Sequence, residues 1–176
     1  VAVEKPAGIL VHPVGRTHSG TVVDRLHTDW HQLNDSCLRQ STHRLCHRLD
    51  RETSGLLLLA KSVEARRRMQ DSFENDRVRK GYIAVVEGIP QDLEFEIDAP
   101  VSAQLDQSRS QGHRLARADS ENGKASRTLF TTLGSKNGVS LIHCRPITGR
   151  QNQIQIHLQV AVHPILGDVG YGQPPE

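Results

Sequence analysis

The chain has 176 residues, enough for one domain with a proper core, and carries 22 Lys and Arg against 20 Asp and Glu for a net charge of +2, too small to announce a nucleic-acid binder by itself. Three Phe, two Tyr and one Trp exclude a broad aromatic platform for single-stranded RNA, so any stacking role falls on one or two named rings. No stretch approaches the ~20 apolar residues of a membrane helix, and no signal peptide follows Val1, so a cytoplasmic chain with no membrane partner is expected.

In chain order, Val1–Lys5 and Ile9–Pro13 read as strands about a Pro6-Ala7-Gly8 turn. Thr21–Leu33 reads as a helix: Thr21 and Asp24 have capping-box spacing, and Val22, Val23, Leu26, Trp30 and Leu33 share one face, with Trp30 in the core. Asn34–Thr42 reads as a polar loop. The apolar run Leu56–Ala60 reads as a buried strand, and Ser62 caps a helix to about Asn75 whose Ala65, Met69 and Phe73 face the core while Arg66, Arg67 and Arg68 face solvent. Strands follow over Val78–Glu87 and Leu93–Ile97, then a polar excursion over Gln104–Lys124. A strand pair over Lys124–Phe130 and Val139–Cys144 comes next. Gly149–Ala161 reads as a final helix with Ile154, His157, Leu158 and Ala161 on one face. Short strands with tight turns predict an α+β fold with a largely antiparallel sheet and flanking helices.

The chemistry concentrates in His47-Arg48-Leu49-Asp50-Arg51-Glu52-Thr53-Ser54-Gly55. A carboxylate just ahead of a buried strand stands on a rigid support where a substrate can reach it. On residue types alone a surface Arg-Asp-Arg ion-pair ladder explains the segment equally well. Arg39, Arg44, Arg48 and Arg51 surround the single acid Asp50, a patch that suits a phosphate backbone or simply a solvated face. Cys37, Cys46 and Cys144 are unevenly spaced without a CxxC pair and read as reduced thiols. His43, Cys46 and His47 match no common zinc spacing, so no metal is expected.

The wording His-Arg-Leu-Asp-Arg-x-Thr-Ser-Gly before an apolar strand resembles the central motif of the RluA-type pseudouridine synthases, which isomerise uridine in RNA. Lys5-Pro6-Ala7-Gly8-Ile9-Leu10-Val11-His12-Pro13 resembles the opening of their catalytic domain, Lys80-Gly81-Tyr82 their second motif, and Pro146-x-Thr148-Gly149-Arg150 through His163-Pro164-Ile165-Leu166-Gly167-Asp168 their third. The resemblance spans nearly the whole chain in order. It implies one pseudouridine-synthase-like catalytic domain over residues 1–176, without the small RNA-binding domain some members carry upstream and short of the strand-rich segment with which relatives continue after Gly172. It adds that the sheet is mixed. It implies Asp50 as nucleophile, Arg48 as the residue that helps displace the target base, and Tyr82 as the active-site tyrosine, whose other reading is a half-buried strand aromatic. Arg51, Lys80 and Arg150 are then candidates for phosphate contacts. The implied partner is ribosomal or transfer RNA, the chain acting as a monomer with no cofactor.

The last motif departs from the family pattern. Relatives read Thr-Gly-Arg-(Thr/Ser)-His-Gln-(Ile/Leu)-Arg, whereas this chain has Thr148-Gly149-Arg150-Gln151-Asn152-Gln153-Ile154-Gln155. Gln155 stands where relatives place an Arg that pairs with the catalytic carboxylate, and a cation there favours the ionised form. Two rivals to an active synthase follow. One is a homologue that still binds RNA but has lost catalysis with Gln155; the other is an unrelated hydrolase using Asp50 and His47 as an acid/base pair.

Overall fold

The structure, a computed structural model, describes residues 1–15, 19–32, 44–105 and 114–172, with the side chains of 29–32, 103–105 and 114–116 left aside. The core position expected for Trp30 and Leu33, the 34–42 loop and the Arg39 end of the basic patch therefore lie outside what is described. The chain divides into two compact units, Val1–Arg77 and Val78–Glu176.

The first unit is built on β3 (Gly55–Ala60), the middle strand of a three-stranded antiparallel sheet. On one side it pairs with β1 (Ala2–Lys5), Val3 opposite Leu57; on the other with β2 (Arg44–Leu45), Leu45 opposite Leu59. Strand alternation sends Leu57 and Leu59 inward at 0% and 3% exposure and leaves Leu56 at 68%, so the Leu run is buried on one face only. Helix α1 (Val22–Gln32) starts as its capping box predicts, with the Thr21 N–H donating to Asp24 Oδ2 at 2.9 Å. Leu10 and Val11 accept from the helix's first N–H groups, Val22 and Val23, so the segment expected as a strand over Ile9–Pro13 serves instead to dock the helix N-terminus. Helix α2 (Val63–Glu74) is capped by Ser62, whose side chain accepts from Ala65 N at 3.1 Å. Its Met69 and Phe73 are half-buried but Ala65 is exposed, a thinner apolar face than the four-residue spacing suggests.

The second unit holds a four-stranded antiparallel sheet in the order β4 (Tyr82–Glu87), β9 (Val139–Pro146), β8 (Arg127–Lys136), β5 (Glu94–Asp98). Ala84, Val86, Phe130, Ile142 and Cys144 line one face and bury against Leu158 of helix α3 (Gln153–Val160). The alternate residues Ile83, Val85 and Leu141 point outward. The excursion expected over Gln104–Lys124 is a two-stranded ribbon of β6 (Val101–Leu105) and β7 (Arg114–Ala118). Asp119 closes its base, Oδ1 accepting from the N–H groups of Glu121 and Asn122 and Oδ2 from Ser102 Oγ at 3.0 Å. The final helix begins four residues later than its periodicity predicts, because Asn152 takes a left-handed backbone, φ 53°, that no α-helix tolerates. Every strand pairing among the described residues is antiparallel, and the architecture is α+β.

Candidate active site

Asp50 lies on the connection between β2 and β3, where the chain leaves one edge of the sheet and must come back to enter its middle strand. Its carbonyl accepts from Thr53 N at 3.2 Å, a tight turn that ends as Gly55 starts β3. The carboxyl is half-buried, and that burial pushes its pKa above the ordinary 3.8, with Arg48 and then Lys5 pulling the other way. Arg48 and Arg51 flank it and are exposed.

Lys5 is the residue in this unit whose importance the sequence reading passed over. It is 0% exposed, and its ammonium donates to three carbonyls: Pro6 at 2.8 Å, Ile9 at 2.9 Å and Arg51 at 2.9 Å. A buried ammonium is tolerated only when its three donors are satisfied, and these three acceptors meet that demand. Two further bonds join the same loops: Gly8 N donates to Arg51 O at 2.9 Å, and Arg51 Nε donates to Gly8 O at 3.2 Å. Gly8 has φ +83°, which a residue with a Cβ adopts only under strain. The Pro-Ala-Gly turn is thus bolted to the backbone immediately after Asp50. A Lys closing an apolar strand just before Pro-x-Gly is the signal that could have found it.

In the second unit, Lys80 precedes β4 and its Nζ donates to Thr148 O at 3.2 Å, joining it to the Thr148-Gly149-Arg150 turn. That turn is held mainly by Gln153. Its Oε1 accepts from Thr148 Oγ1 at 2.9 Å and Arg150 N at 3.0 Å, while Nε2 donates to Arg127 O at 3.0 Å and Thr128 Oγ1 at 2.9 Å. Thr128 in turn meets His157 Nδ1, and His157 Nε2 meets Ala99 O, each at 2.9 Å. A carbonyl only accepts, so the His157 proton is on Nε2 and Nδ1 receives the Thr128 hydroxyl. Arg150 is exposed at the end of this satisfied network, and Gln155 is half-buried on α3. Tyr82 opens β4 opposite Cys144, half-buried with its ring against the Ala84–Phe130–Leu158 cluster.

The zinc arrangement weighed for His43, Cys46 and His47 includes His43, outside the described residues. Cys46 is buried, which raises its thiol pKa, and His47 Nε2 already accepts from Leu58 N at 3.0 Å. Among the described residues no helix is long and apolar enough to cross a membrane.

A sequence profile described as RNA pseudouridylate synthase matches residues 1–160. The chain belongs to that family. It is 34% identical over 173 residues to the ribosomal large subunit pseudouridine synthase D of Nitrosomonas europaea, covering 98% of this chain and 47% of that protein. It is 32% identical over 171 residues to the mitochondrial tRNA pseudouridine(32) synthase of Saccharomyces cerevisiae, covering 97% of this chain and 35% of that one. Among solved structures, Human RNA Pseudouridylate Synthase Domain Containing 4 superposes with a TM-score of 0.77 at 28% identity, over 97% of this chain and 64% of that one. This family member therefore spans half or less of the two curated relatives' length. The RluA-type wording of its motifs agrees with these relatives, and its α+β architecture with the solved fold.

Proposed function

We propose that this chain isomerises specific uridines to pseudouridine in structured RNA, ribosomal or transfer, with Asp50 as nucleophile. The observation that carries the reading is the setting of Asp50. A carboxyl kept basic by burial is attended by two cations and fixed from behind by the Lys5 bolt, in a chain that matches the synthase family over residues 1–160. Family membership supports RNA as substrate; the assignment of roles rests on the resemblance of the motifs.

The reaction breaks the N1–C1′ bond, turns the uracil and forms a C5–C1′ bond; C5 then loses its proton and N1 gains one. No electrons or groups are exchanged with a second molecule. The uridine must first leave its stack, which costs a few kcal/mol, and Arg48, exposed ahead of Asp50, fills the space it vacates. Asp50 supplies a carboxylate that needs no separate base to generate it. Tyr82, half-buried against the core, is assigned by the resemblance to stack on the extruded uracil and assist removal of the C5 proton. Arg51 and Arg150 are exposed and take phosphates, while Lys80 contributes its charge beside the Arg150 turn. By the resemblance, Gln155 is a neutral hydrogen-bonding group in the place where relatives have a guanidinium.

The test is tritium release from RNA labelled at uracil C5. Wild-type protein is expected to release it, and Asp50→Asn to reduce release by at least ~10³-fold, the order of loss when a nucleophile is removed. A wild type that binds RNA in a salt-dependent way but releases no tritium from any cellular RNA supports the second reading, a homologue whose catalysis lapsed with Gln155. The hydrolase reading has a specific observation against it: the lone pair that a His47 base would use is already taken by the Leu58 N–H.

A further inference from the structure

The residue before Arg48 raises a question that the proposed reaction does not answer. His47 is half-buried and accepts a backbone hydrogen bond through its ring. The bond completes a ladder. Strand β2 pairs with β3 as far as Leu45 opposite Leu59, and the next backbone bond runs from Cys46 N to Leu58 O at 3.1 Å. At that point the chain turns away towards Asp50, and the Leu58 N–H would lose its partner on that side. His47 Nε2 supplies the acceptor instead, 3.0 Å away. The imidazole thus stands in for one more carbonyl of β2. Phe73 of α2 also packs on the ring, with centroids 4.7 Å apart and planes tilted by 31°.

We infer that His47 is a positioning residue for Arg48 and Asp50. Its ring is held as a neutral imidazole that continues the β2–β3 ladder by one side-chain bond, so the departing backbone leaves the sheet in a single direction. An acceptor at Nε2 has no proton there, so the ring proton is on Nδ1. Burial, opposed by a backbone hydrogen bond with Arg48, lowers the ring's pKa and keeps this form at neutral pH. A backbone kept in the wrong direction by even ~1 Å can cost about 10²-fold in rate, which is the scale of effect expected here.

The catalytic consequence rests on the proposed synthase activity; the ladder itself does not, and the experiment separates them. In ¹⁵N spectra of the wild-type protein at pH 7, His47 is expected as the Nδ1–H tautomer with an unprotonated, hydrogen-bonded Nε2. An Nε2–H tautomer or a doubly protonated ring overturns the inference whether or not the protein is an enzyme. His47→Gln can present Oε1 to the Leu58 N–H, whereas His47→Leu fills the space without an acceptor. The amide resonances of Arg48, Leu49 and Asp50 should stay near wild type in the Gln variant and shift in the Leu variant. Tritium release should keep kcat within about 5-fold in the first and fall by about 10²-fold in the second, with KM for RNA little changed in both. A folded Leu variant with wild-type kcat and unshifted amides, or a folded Gln variant as impaired as Leu, sinks the idea. Should Leu fail to fold, the tautomer and the Gln variant decide. A wild type silent in the tritium assay refutes the proposed reaction, and the tautomer and amide shifts then judge His47 alone.

Discussion

Burial works against the ionised carboxylate of Asp50, while Arg48 and Lys5 favour it, and burial wins. In its proposed role as nucleophile Asp50 must be ionised, so kcat/KM should fall on the acid side with a limb above the ordinary 3.8 of an Asp. Arg48→Ala removes the larger of the two opposing cations and should move that limb to higher pH; a pH–rate profile of wild type and variant reads both. The same shift has a stability sign. A folded-state pKa raised above the unfolded one means that ionised Asp50 costs stability above about pH 3.9, and that the cost disappears as pH falls through the raised value. Asp50→Asn at pH 7 should therefore lose activity while keeping or raising the thermal midpoint, measured by differential scanning calorimetry. A midpoint several degrees lower would show that the carboxylate holds the fold, contrary to the direction of its pKa.

Among the elements, the two late helices are fixed in opposite ways. Helix α2 has an exposed cap and no buried residue, so Ser62→Ala, which removes the acceptor for Ala65 N, should cost only about 1 kcal/mol. Helix α3 is tied by Gln153, 3% exposed, whose amide makes four bonds to the Thr148–Arg150 turn and to β8. Gln153→Leu keeps the apolar bulk but leaves several of these buried partners unpaired. At about 1–3 kcal/mol for each unsatisfied group, it should cost at least ~2 kcal/mol more than the Ser62 change. Urea denaturation of the two variants measures the difference. Equal losses would mean that the Gln153 network is replaced by water at no cost.

At the scale of the whole molecule, a net charge of +2 offers no general positive field, so the proposed RNA binding would fall to local cations such as Arg48, Arg51, Lys80 and Arg150. If about four phosphates are neutralised, affinity for a structured RNA should fall on the order of 10²-fold between 50 and 200 mM salt. Arg51→Ala and Arg150→Ala should each flatten that slope by roughly one in a log–log plot of binding against salt. An affinity indifferent to salt would contradict phosphate contact by these side chains. The relatives matched over nearly the whole chain include one named for ribosomal and one for transfer RNA, and the slope is expected for either.

Residue order alone carried the family and the α+β class, because strand alternation, capping at Thr21 and Ser62, and the wording around Asp50 are local patterns written along the chain. It also marked Gln155 as a departure, since that needs only a comparison of letters. The positions that fix the motif were not legible in this way. Lys5 and Arg51 are 46 residues apart, and a strand-end lysine reads as solvent-facing until the fold sets three carbonyls around it. His47 read as a rival's base because no pattern in the letters says that β2 stops one residue short and needs a ring to finish its ladder. Periodicity likewise started the last helix at Gly149, and only the left-handed turn at Asn152 moves it to Gln153. Local backbone preference is encoded by neighbours in sequence, whereas the partner of a buried donor or acceptor is chosen by whichever distant segment folding brings within about 3 Å.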